Sequence, residues 1–321
     1  MKLWLSRYLS VLTLVPAAVL IIFITADIFR AYYALDQANV TIANVRLVTV
    51  TNKLVHELQK ERGMSAGYIG SKGTMFTSGL KNQRAITDKE VNNLKTFMVD
   101  TNYHEHTNKT TQQLFNGLGQ LQTIRQQVDS LNIALPDALS YYTGNNLLIL
   151  DLNGHLASEL EEASSSERFL TLYNIAYAKE QAGIERAVLN NVFASGTFTS
   201  ALFSRYIELV TKQDTYIKSA YTVATLDYRK ELDLFVRSKE SLDVQRYRYI
   251  AENTENEFNV KANDWFSAAT ARIDKLKSTE QTLLDETVLY AQENVSSKLR
   301  LIIFESIVLI LMLAIAYAVF S

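Results

Sequence analysis

The chain has 321 residues, a formal net charge of −2 and no cysteine, which excludes disulfides, thiolate metal sites and cysteine nucleophiles and leaves no electrostatic footprint for nucleic acid. Hydrophobic residues make up 48% of it, enough for a large core and two membrane-length stretches. With only two prolines, Pro16 and Pro136, and eleven glycines, so few helix breakers remain that a mostly helical protein follows.

Lys2 and Arg7 open the chain, and no charged residue occurs from Tyr8 to Ala26, about the 20 apolar residues that a helix needs to cross the hydrocarbon layer. A basic start also fits a cleaved signal peptide, but the apolar run outlasts a usual signal core, and no small-x-small site closes it before Asp27 and Arg30. An uncleaved anchor over 8–30 is therefore expected, preceded by a cytoplasmic tail of residues 1–7. Pro16 inside it is tolerable, because transmembrane helices accommodate proline better than soluble ones. A second span is expected over 299–321, where Leu301 to Phe320 carries one acid, Glu305, and the cations Lys298 and Arg300 can reach the interface. The positive-inside bias keeps the N-terminus in the cytoplasm and puts residues 31–298 outside it, in the periplasm of a Gram-negative cell, with the inner membrane as a partner. No basic flank or soluble tail follows the second span, which reads as the sensory part of a receptor whose cytoplasmic signalling module would come after Ser321.

Between the spans the periodicities predict eight helices. The first leaves the membrane over 32–70, with Val40, Ala43, Leu47, Val50 and Leu54 on a 3-4 seam that suits a homodimer. Gly70 to Gly73 break it, and helices follow at about 76–101, 106–132 and 136–163, with Pro136 suited to a first turn. Ser164-Ser-Ser-Glu167 reads as a capping box that opens the next helix near 166, running to 195 with Gly196 as its turn. Helices at about 198–223, 225–253 and 256–298 complete the set. The fold class is all-α, two tandem four-helix bundles over about 31–163 and 164–298, flanked by two transmembrane helices.

Two arginines interrupt apolar stripes. Arg62 lies in the heptad row Val48, Val55, Arg62, Ile69, and Arg186 in the row Leu172, Ile175, Lys179, Ala182, Arg186, Leu189, Phe193. A cation on a buried face needs a partner, and an ordinary one for Arg62 would be Glu57 or Glu61 along its own helix. The two contexts repeat each other, however. Glu61-Arg62 is followed by Phe76-Thr-Ser-Gly-Leu80, and Glu185-Arg186 by Phe198-Thr-Ser-Ala-Leu202 at nearly the same distance, which points to a duplicated unit.

Four runs, His56-Glu-Leu-Gln-Lys-Glu-Arg-Gly-Met-Ser-Ala-Gly-Tyr68, Asn82-Gln-Arg-Ala-Ile-Thr-Asp88, Ala178-Lys-Glu-Gln-Ala-Gly-Ile-Glu-Arg-Ala187 and Trp265-Phe-Ser-Ala-Ala-Thr-Ala-Arg-Ile-Asp274, occur in an order and spacing that resemble the NIT domain, the nitrate- and nitrite-sensing module of bacterial receptors such as chemotaxis proteins and sensor kinases. The likeness covers about residues 45 to 285. It implies a helical sensor of two four-helix bundles, dimeric, coupled to a separate output module and without enzymatic activity or a cofactor. It further implies anion sensing by arginines that correspond here to Arg62 and Arg186, with Arg84 and Arg272 in the similar runs as second-rank candidates. Chemistry is compatible with this, since the coplanar N–H fork of a guanidinium can bond two oxygens of a planar oxyanion at once. The same fork would hold a carboxylate, so the choice of nitrate or nitrite rests on the resemblance.

Other sites find little support. His104 and His106 flank Glu105 in a polar turn, residues two apart share no helix face, and no metal site is expected there. His56 reads as a polar-face residue, and the tyrosines near the second motif, Tyr173, Tyr177, Tyr206, Tyr216 and Tyr221, as core residues with a wet tip. Phosphate-loop and dinucleotide fingerprints are missing from the sequence. The readings that compete with nitrate sensing are a helical sensor of another small anion or organic acid, and a ligand-free module for dimerisation or partner binding.

Overall fold

A chain with so few breakers can satisfy its backbone only by long helices, and in the computed structural model, which describes residues 2–99, 105–254 and 258–320, every regular element is an α-helix. In chain order these are α1 (Lys2–Gly70), α2 (Thr77–Val99), α3 (Glu105–Gly119), α4 (Leu121–Asp129), α5 (Leu135–Ser158), α6 (Ala163–Ser195), α7 (Ser200–Val223), α8 (Leu226–Val236), α9 (Lys239–Asn253) and α10 (Ala262–Phe320). They form two runs of one pattern. In the first bundle α1, α2, the broken pair α3 and α4, and α5 follow one another; α6, α7, the broken pair α8 and α9, and α10 repeat the order in the second.

Residues 44–287 make one unit, and residues 1–43 with 288–321 make another. The second of these holds the apolar ends of α1 and α10, both long and apolar enough to cross a membrane. Its side chains face outward, with Ile22 67%, Phe23 63%, Ile310 64% and Ile315 64% exposed, as lipid-facing residues would be.

The duplicated motifs have one structural role in each bundle. Phe76-Thr-Ser-Gly-Leu80 and Phe198-Thr-Ser-Ala-Leu202 both open the second helix, where the Thr199 hydroxyl accepts from the Leu202 N–H at 3.3 Å and caps α7. The turns before them need left-handed backbone. Gly73 has φ +84° beyond the end of α1, and Gly196 has φ +67° at the end of α6. Pro136 sits in the first turn of α5, where its missing N–H costs no bond.

Several boundaries differ from the periodicity: the helix expected over 136–163 ends at Ser158, and the last begins at Ala262 in place of about 256. The helices expected over 106–132 and 225–253 are each broken in two, at Gly119-Gln120 and at Arg237-Ser238. Glycine weakens the first, and Ser238 starts a new helix at the second by accepting the Ser241 N–H at 3.2 Å. α6 begins at Ala163 with Glu162 as its N-cap, because the Ser166 N–H already bonds the Glu162 carbonyl at 3.0 Å, so the expected capping box lies inside the helix. His104 lies outside the described residues.

The second bundle has an aromatic core in which Trp265 and Tyr206 are fully buried beside Phe193, Phe258, Leu189 and Val192. In the first bundle Leu80, Val128 and Ala138 pack with Met64, Tyr68 and Ile69. Leu47 and Leu54, two members of the seam expected to face a second copy, are fully buried within one chain. They are spent on the bundle itself.

Candidate functional site

Neighbouring residues on a helix point about 100° apart, so a Glu-Arg dipeptide on a central helix sends its two charges to different surroundings. Both glutamates turn into their own bundles. Glu61 accepts from Arg125 through Nε at 2.8 Å and Nη2 at 2.9 Å, and from the Tyr142 hydroxyl at 2.8 Å. Glu185 accepts from Arg248 through Nε at 2.7 Å and Nη2 at 2.8 Å, and from Gln213 Nε2 at 2.7 Å. The donating arginine lies 64 residues on in the first bundle and 63 in the second, each time in the latter segment of the broken helix. These are fork-to-fork pairs with a further donor on each carboxylate, the geometry that a buried ion pair requires. Burial alone would raise the Glu185 carboxyl, yet the charge and N–H groups of Arg248 outweigh it and hold the group below its usual range.

The arginines of the two dipeptides turn the other way and meet. Arg62 Nη1 donates to Thr143 Oγ1 at 2.7 Å and to Glu180 Oε1, while Nη2 donates to Glu180 Oε2 at 3.2 Å. Arg186 Nη1 donates to Thr270 Oγ1 at 2.8 Å, and its guanidinium lies 4.6 Å from the centre of the Phe266 ring. The threonines are repeat counterparts too, 81 and 84 residues beyond their arginines.

Glycines mark where the two guanidinium groups lie, and the fit is tighter at Gly183 than at Gly63. A Cβ on Gly183 would stand 3.2 Å from Arg62 Nη2, and one on Gly63 would stand 3.6 Å from Arg186 Nη2. Each guanidinium therefore lies over the glycine of the opposite helix, and α1 and α6 run in the same direction here, Gln59, Arg62 and Gly63 meeting Glu180, Gly183 and Arg186 in turn. Trp265 fixes α10 onto α6 by donating its indole N–H to the Arg186 carbonyl at 3.0 Å.

The electrostatics of this seam are unbalanced. Glu180 is fully buried and is the carboxylate of Arg62, in place of the Glu57 or Glu61 expected from their nearness along α1. Arg186 has no carboxylate within ion-pair distance among the described residues. Burial, and after it the positive charge of Arg62, push the Arg186 guanidinium below its ordinary range, while Asp274, at the surface, opposes this. The seam thus holds two guanidinium groups and one buried carboxylate, and of the two arginines only Arg62 bonds it. Such a site has spare N–H donors and spare positive charge for an anion.

Arg84 and Arg272 are not brought to the seam. Arg84 pairs with the Asp129 carboxylate at 2.8 Å on the side of the first bundle. Arg272 is 5% exposed inside the second, where Nη1 donates to Gln213 Oε1 at 2.7 Å; burial and then the neighbouring Arg248 bring it down to about 10. His56, one of the partly buried residues of α1, is lowered to about 4 by burial and then by Lys179 and Lys277, which adjoin the buried Glu280. Sequence reasoning missed Glu180, Thr143, Thr270 and Gly183. Glu180, Gly183 and Thr270 lie in the family-like runs, whereas nothing in the sequence around Thr143 marks it.

A family model described as nitrate and nitrite sensing matches residues 53–288, which include every residue of the seam. The nitrate regulatory protein of Klebsiella oxytoca is 24% identical over 245 residues, 72% of this chain and 59% of that protein, so the chain spans about three-fifths of this relative's length. A solved structure of the NasR transcription antiterminator has a TM-score of 0.76 at 21% identity, covering 92% of this chain and 81% of that one, a likeness of fold.

Proposed function

Because the chain belongs to the family of nitrate- and nitrite-sensing domains, we propose that it is the sensory region of a bacterial transmembrane receptor that holds nitrate or nitrite between Arg62 and Arg186. The observation that carries this reading is the meeting of two repeat-related arginines over two glycines, with one buried carboxylate, held by Arg62. The family's description as a sensing domain supports a role in sensing rather than catalysis.

The apolar ends of α1 and α10 support an inner-membrane receptor with two spans, at about 8–30 and 299–321, and with residues 31–298 in the periplasm. The relatives carry the names of a nitrate regulatory protein and a transcription antiterminator, and neither name specifies the output of this chain. For this chain the reading is a cytoplasmic signalling module beyond the second span. Arg62 lies on α1, and Thr270 and Phe266 on α10, so an anion at the seam bears on both helices that carry apolar stretches. It biases the output to the extent that it binds one helix arrangement better than another.

Calorimetric titration of the full chain in detergent with nitrate, nitrite, chloride and acetate tests the reading. Heat is expected with nitrate and nitrite and much less with the other two. A response to acetate alone would favour an organic-acid sensor, and none with any anion would favour a ligand-free interaction module.

A homodimer remains part of the proposal. Leu47 and Leu54 are buried in one copy, so its seam on α1 falls to partly exposed residues such as Val40 and Val50. Light scattering is expected to give twice the chain mass, at least with nitrate present. Monomer at high concentration with and without nitrate would remove the dimer.

A further inference from the structure

Glu180 is held by more donors than an ion pair alone needs. Besides the two Arg62 nitrogens, one of them at 3.2 Å, its carboxylate accepts from Gln59 Nε2 at 2.7 Å and Asn146 Nδ2 at 3.3 Å, and it is fully buried. A group so placed stays where it is when a small ion arrives, because leaving would strand Gln59 and Asn146 as well as Arg62. The buried charges that meet at the seam are then two guanidinium groups and one carboxylate, since the buried Lys179 next to Glu180 is neutralised by its own partner, Glu280. Asp274 is exposed, and the glutamates of both Glu-Arg pairs are engaged with Arg125 and Arg248 inside the bundles.

We infer that Glu180 is the specificity-determining residue of the anion site, a fixed counter-charge that leaves the seam one positive charge short of balance and so selects singly charged oxyanions over dianions such as sulfate. This rests on the reading of the seam as the anion site. One negative charge compensates the surplus, whereas a second has no partner and meets the fully buried Glu180, where like charges a few ångströms apart repel strongly. Size has little part in it. Nitrate and sulfate are both small, and the seam separates them by charge.

The test compares sodium nitrate and sodium sulfate binding to the full chain at constant ionic strength, for the wild type and for Glu180→Gln, which keeps the shape and removes the charge. The wild type is expected to bind nitrate at least about tenfold more tightly than sulfate, and the variant to shift that ratio toward sulfate by roughly tenfold to a hundredfold. A merely structural Glu180 would weaken both anions together at an unchanged ratio, and that result overturns the inference. Should the variant not fold, the wild type still decides, since equal affinity for the two anions is incompatible with a single surplus charge. A wild type that binds no nitrate removes the anion reading itself, and this inference with it.

Discussion

Arg62→Ala is expected to lower folding stability by about 3–5 kcal/mol, because it leaves the Glu180 carboxylate buried without its cation. Sequence reasoning alone would have the fold survive this change, as an arginine aimed at a ligand can be removed without harm to the core. The cross-helix pair alters that expectation. Urea melts of the full chain followed by helical circular dichroism measure the loss, and the double variant Arg62→Ala with Glu180→Ala should regain at least half of it, since the stranded charge goes too. A loss below about 1 kcal/mol for the single variant would mean that Glu180 finds water or another donor. In either case, binding data from Arg62→Ala have to be read beside its stability.

Arg186→Ala gives the cleaner view of binding. Its guanidinium bonds a threonine hydroxyl and stacks on Phe266 but neutralises no buried carboxylate, so its removal should change stability by about 1 kcal/mol or less. Nitrate affinity should nevertheless fall by roughly tenfold to a thousandfold, the equivalent of one or two charge-assisted hydrogen bonds at about 1.5–3 kcal/mol each. Driving a two-state receptor from mostly off to mostly on takes a differential affinity of about 5.5 kcal/mol, more than one such bond supplies. In a fusion to a reporter output, Arg186→Ala should therefore abolish most of the nitrate response. Arg62→Lys, which keeps a cation for Glu180 while giving up the planar fork, should do the same, and the double variant should be little worse than either. Partial losses that simply add would show that the two arginines act independently.

Much of the architecture could be read from residues because it depends on local facts. The shortage of proline and glycine fixes helix, the Glu-Arg and Phe-Thr-Ser repeats mark the two halves, and Pro136, Gly73 and Gly196 stand where the chain must start or stop a helix. The breaks in the third helix of each half were hidden, since glycine at 119 is compatible with an uninterrupted helix and Ser238 caps only once the chain has turned. The arginines were legible as cations on apolar stripes. Their surroundings were not, because a stripe tells which face of a helix is covered and nothing of what covers it. Glu180 is 118 residues from Arg62. Arg125 and Arg248, in the polar runs Gln122-Thr-Ile-Arg-Gln-Gln127 and Val244-Gln-Arg-Tyr-Arg-Tyr249, look like surface residues until the bundles close around Glu61 and Glu185.

The seam also bears on how such a site could arise. A half-length chain with a single Glu-Arg pair would keep its glutamate for its own bundle and would find a second arginine only on another copy of itself. Counter-charges in a symmetric pair come in twos, so that assembly could hold none or two, and its surplus would be two positive charges or zero. Joining the copies in one gene removes the constraint. Five residues before the glutamate of its pair, one half carries His56 and the other Glu180, and this divergence is what an odd charge requires. A surplus of one, suited to a single monovalent ion, is available to a fused duplicate and closed to its symmetric parent.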